Sequence, residues 1–80
     1  MAYSAEHFEQ MKTDADLRRQ YFWKIATNAR VHAAKARSGG DFGEADGLER
    51  FSRAIFDNID ACVEFTAEAP NHLDILKEKA

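Results

Sequence analysis

The sequence predicts an all-α chain: two long helices folded back as an antiparallel hairpin, then a short third helix. Three observations carry this reading. Its four glycines and one proline fall in only two regions, Gly39-Gly40-Asp41-Phe42-Gly43 with Gly47 just beyond, and Pro70. The stretches between consist mostly of good helix formers. Their apolar residues recur at helical spacing.

The first helix is expected over about residues 4–37, where no Gly or Pro interrupts. Ser4 can cap its start by accepting from backbone N–H groups. Thr13-Asp14-Ala15-Asp16 also resembles a capping box, so a break near Thr13 is the alternative. On a helical wheel Phe8, Met11, Ala15, Phe22, Ile25, Ala26, Ala29, Ala33 and Ala36 share an arc of roughly 100°, the width of a helix facing one layer. Arg18 is the one intruder on it. Toward the C-terminal end the arc narrows to alanines, which let another helix approach closely.

Residues 38–43 form the turn, since glycine accepts the left-handed conformation that ends helices. The second helix is expected over about residues 42–68, with Asp41 and Glu44, or Asp46 and Glu49, capping its start. Pro70 stops it, because proline disfavours helical geometry at the preceding residue. Asn71 can cap a last helix over about 71–79, with Leu73 and Leu76 facing inward and Ile75 beside them.

The apolar arc of the second helix, from Ala45 and Leu48 to Val63 and Phe65, spans roughly 180° to 200°, broken mainly by Ser52, Asn58 and Thr66. One neighbouring helix cannot cover so broad a face. The expectation is therefore a homodimer: a four-helix bundle in which Phe51, Ile55, Phe56, Asn58, Ile59, Val63 and Phe65 meet a second copy. A buried Asn58 would fix register there; the alternative is a solvent-facing edge position.

Composition bounds the rest. Eighty residues, 45% apolar and 31% charged, make one globular domain, 1–80. A chain this small removes only about 60% of its unfolded surface from water, so it calls for a disulfide, a metal or a partner subunit. Cys62 is its only cysteine and cannot close an internal disulfide. With no charged-then-apolar leader and no apolar run near the roughly 20 residues that span a bilayer, the expectation is a reduced, cytoplasmic setting without membrane attachment.

No enzyme chemistry is legible. His7, His32 and His72 are far apart and none has a Glu three residues before it, as a di-iron bundle requires. A zinc site needs four converging ligands. Cys62 falls mid-arc, where a thiol packs rather than reacts. Asp57, Asp60, Glu64 and Glu68 point outward, away from the desolvation that tunes a catalytic carboxylate. The glycine-rich turn lacks the Gly-Lys-Ser or Gly-Lys-Thr ending of a phosphate loop. No catalytic residue, cofactor or metal is expected.

Charge carries more. The net charge is −3, but residues 1–39 hold seven basic and four acidic side chains, and residues 40–80 four basic and ten acidic. The plainer explanation is that the halves fold together and their rims attract. Lys12, Arg19, Trp23, Arg30 and Arg37 lie in a strip beside the first helix's core face, and Arg with Trp is the combination enriched at binding hot spots. The expected function is thus a non-enzymatic protein–protein interaction module, a homodimer that binds and modulates an unidentified protein as adaptor or inhibitor. The alternative is a nucleic-acid-associated regulator using the same strip, against which the negative net charge argues. A metal or small-ligand carrier using the bundle interior comes third.

Overall fold

The computed structural model describes residues 4–69 and 71–79, apart from the side chains of Leu76, Lys77 and Lys79, so the expected roles of Pro70 and Leu76 lie outside the described residues. Among these residues every regular element is helical: α1 (Ala5–Met11), α2 (Ala15–Ser38), α3 (Phe42–Asp57), α4 (Ile59–Glu68) and α5 (Asn71–Lys79). None of the helices is long and apolar enough to cross a membrane.

Both long helices of the sequence reading are divided. The helix expected over 4–37 breaks where the Thr13 alternative puts it. Ser4 Oγ accepts from the His7 amide to start α1, and Asp14 Oδ1 accepts from the Asp16 and Leu17 amides to start α2. A capping carboxylate satisfies donors that the first turn leaves without partners and suits the positive end of the helix dipole. Because the helical phase restarts there, Ala15 is exposed rather than inward as the single wheel implied.

The helix expected over 42–68 breaks at Asn58. The Asn58 Nδ2 donates to the Ala54 carbonyl at 2.9 Å, taking the acceptor a continuing helix would offer the Asn58 amide, which bonds the Ile55 carbonyl one residue later. This is the competition with the backbone that makes asparagine a poor helix-interior residue. Within this chain Asn58 is exposed and its side-chain amide donates within its own helix.

The α2–α3 turn follows from Gly40, whose φ of +86° is costly for any residue with a Cβ. It lets the Asp41 amide reach the Ala36 carbonyl at 2.9 Å. The Asp41 carboxylate then accepts from the Glu44 amide to start α3. The two helices pack along a seam where Ala26, Ala29, Ala33 and Ala45 are buried, so the alanine run does serve close approach.

α4 lies beside the first turns of α2, and α1 and α5 pack on each other at that end. One core joins the layers: Phe8, Met11 and Leu73, all fully buried, with Tyr21, Phe22, Ala26, Ile55 and Val63. Ile55 and Val63, expected at a dimer interface, are thus claimed by their own chain. Phe56 and Ile59 are half-buried against the core, while Phe51 and Phe65 are about half exposed (50% and 52%). Cys62 is half-buried at the core's edge and His32 is exposed.

Arg18, the intruder, is 7% exposed. Its Nη1 donates to the carbonyls of Met11 (2.8 Å) and Lys12 (3.4 Å), and its Nε to that of Val63 (3.1 Å). Met11 and Lys12 end α1, where carbonyls lack helical partners and the dipole favours a cation. A single guanidinium therefore caps α1 and ties it, through α2, to α4.

Candidate functional site

The charge asymmetry is resolved in part within the chain, through Lys12, Arg19 and Arg37. Lys12 Nζ bonds Asp74 and Glu9, each at 3.0 Å, bridging the α1–α2 link to α5. Asp74 foremost, then Glu9, raise the Lys12 pKa above the ordinary lysine value. A raised cationic pKa means a stabilising contribution present below the ordinary value and lost as pH rises through the raised one, so this clamp is intact at neutral pH. Arg19 bonds Asp60 of α4 at 2.6 Å. Neither Lys12 nor Arg19 lines the groove that holds the rest of the expected strip.

Trp23, Arg30 and Arg37, spaced seven apart on α2, do come together. With Ala34 they form one wall of an open groove of about 700 Å³ whose other wall, on α3, is Glu49, Ser52, Arg53, Phe56 and Asp57. The Trp23 ring, 54% exposed, meets Phe56 edge to face, centroids 6.1 Å apart. The Arg30 guanidinium stands 5.5 Å over the same phenyl ring. At the turn end Arg37 Nη2 bonds Glu49 at 2.8 Å and Asp46 at 3.3 Å, and its guanidinium lies 5.9 Å from the Phe42 ring. Glu49 foremost, with help from Asp46, raises the Arg37 pKa.

Two small side chains, Ala34 and Ser52, are among the groove's lining residues. The Arg30–Phe56 and Arg37–Glu49 contacts fix an antiparallel register that sets Ala34 level with Ser52, leaving a notch between two pairs of long side chains. Ser52 is 1% exposed, and its Oγ has no hydrogen-bond partner among the described residues. Buried hydroxyls are normally satisfied.

Sequence reasoning missed three of these residues as binding groups. Ser52 reads as a break in an apolar arc and Phe56 as part of a dimer face. Arg53 carries a signal in hindsight, standing four residues after Glu49 and three before Phe56 and so on their side of α3. Among the described residues no three His, Cys, Asp or Glu side chains converge as cation ligands. What the fold and groove define is an all-helical hairpin with an aromatic, arginine-rimmed cleft at its seam. Comparison with protein-family models, curated proteins and solved structures finds no match to this chain.

Proposed function

We propose that this protein is a non-enzymatic interaction module that docks a protein partner in the α2–α3 groove, modulates it, and works as a homodimer. The observation that carries the docking reading is the meeting of Trp23, Arg30 and Phe56 at an open cleft. Tryptophan and arginine supply large contact area or forked hydrogen bonding at modest ordering cost, and they dominate binding energies where a pocket holds them. Trp23 is half exposed, so the part of its side chain that Phe56 leaves uncovered is open to a partner.

Homodimerisation is supported by the half-exposed Phe51, Phe65 and Ile75 on α3, α4 and α5. At about 25 cal/mol per Å² of apolar area, covering two phenylalanines and an isoleucine on each chain yields several kcal/mol, comparable to the stability of a small domain. Light scattering of the purified protein is expected to give the mass of two chains. Phe51→Glu with Phe65→Glu is expected to give one chain with unchanged helical circular dichroism. A wild-type mass of one chain at micromolar concentration would remove the dimer.

The docking reading is tested by comparing proteins retained from a source-cell lysate on the wild-type chain and on Trp23→Ala with Arg30→Ala. The double variant is expected to keep its helicity and oligomeric mass but lose the partner. Equal retention by both would take the site away from the groove.

A further inference from the structure

Building on the docking reading, we infer that the groove's occupant is a segment of a protein partner that presents one carboxylate side chain beside one large apolar side chain. Three features of the cleft converge on this chemistry.

The first is unused positive charge. Lys12, Arg19 and Arg37 are each held by carboxylates, whereas among the described residues neither Arg30 nor Arg53 has one within ion-pair distance. Arg37 is engaged by Glu49 and Asp46, which leaves Arg30 and Arg53 against Asp57 among the lining residues, one more cation than carboxylates. That excess matches a single carboxylate, which an arginine fork can hold through two parallel bonds. A nucleic-acid strand brings a negative charge with every nucleotide and would meet Glu49 and Asp57 on the way.

The second feature is the buried Ser52 hydroxyl in the cleft wall, without a partner among the described residues. A hydroxyl both donates and accepts, so a carboxylate or peptide group in the cleft supplies what it lacks once the Ser52 side chain rotates toward it. The third is the Trp23–Phe56 pair, an apolar surface beside that polar point. An anchor side chain that covers these rings also shields the Arg–carboxylate bond from water, which strengthens it. A cleft of about 700 Å³ holds a few side chains rather than a whole helix, so recognition is of a short segment.

The test uses the full chain, immobilised, to select from a random dodecapeptide library displayed on phage. The expected consensus places Asp or Glu within about one helical turn of Trp, Phe, Leu or Met. Trp23 is the only tryptophan, so its emission reads the cleft directly. The synthetic consensus peptide is expected to shift that emission saturably, and replacing its carboxylate by the amide should weaken binding about tenfold. Arg30→Gln with Arg53→Gln, its helicity confirmed by circular dichroism, should abolish the difference between acid and amide peptides.

A consensus that moves Trp23 emission but is free of acids, or indifferent to the amide replacement, overturns the inference and leaves the docking reading standing. If no selected peptide moves Trp23 emission, both fall. Tighter binding of an oligo-thymidine strand than of any peptide, with affinity dropping steeply as salt rises, would assign the cleft to nucleic acid and overturn both.

Discussion

Replacing Arg18 by alanine is expected to remove about 3 kcal/mol of stability, since hydrogen bonds from a charged donor contribute about 1.5 to 3 kcal/mol each and two short ones are lost. For a chain of this length total stability is on the order of 4 to 12 kcal/mol, so the variant should keep about 1 to 9 kcal/mol and approach unfolding at the lower end. The melting midpoint should fall by about 12 to 24 °C. Against this stands the cost of burying a guanidinium, which makes some buried cations replaceable by hydrophobic residues without loss. Here the acceptors decide. Met11 and Lys12 end α1, so when the donor goes the buried Met11 carbonyl and the part-buried Lys12 carbonyl are left with no helical partner. Arg18→Met separates the two effects, because it keeps the stem packing and removes only the donors. Urea unfolding should place it near the alanine variant; a methionine variant as stable as wild type would show that the carbonyls find water and that Arg18 is no fastener.

The same residue shows what the sequence could disclose. Helical class was legible because a 3.6-residue period and the placing of Gly and Pro are local properties. Arg18 was visible as an anomaly on an apolar arc, but its role depends on the Val63 carbonyl, 45 residues away. The break before Asp14 carried a capping signal in Thr13-Asp14-Ala15-Asp16. The break at Asn58 carried almost none, since one asparagine costs a helix little and the apolar pattern runs on through it. Yet that break resets the phase of α4 relative to α3, and with it which part of the broad arc the chain covers itself: Ile55 and Val63 are inside, Phe51 and Phe65 are not. The site divides in the same way. Spacing along α2 aligned Trp23, Arg30 and Arg37, but only the hairpin register supplies Ser52, Arg53 and Phe56 opposite them. The charge bias between halves likewise foretold attraction, not which cations would be left over.

Phe8→Ala should be the most damaging apolar truncation, costing about 3 to 5 kcal/mol through lost transfer energy and the cavity left behind. Phe8 is fully buried, and its ring meets Tyr21 edge to face at 5.8 Å. α1 has seven residues, far below the length at which a helix persists in water on its own, so docking through Phe8 and Met11 holds it folded. The damage should therefore have a direction. Removing the ring frees α1 first, and α5 with it, because Leu73 buries its side chain in the same cluster. The alanine seam between α2 and α3 contains neither helix. Hydrogen exchange followed by mass spectrometry is expected to show protection lost across residues 5–11 and 71–79 before the seam residues 26–45 open. Phe8→Leu, which fills most of the space, should cost less than about 1.5 kcal/mol and keep both end helices protected. Simultaneous loss of protection across the whole chain in Phe8→Ala would mean instead that α1 and the hairpin are one cooperative unit. The Arg18 bonds to Met11 and Lys12, lost once α1 departs, are what would couple them.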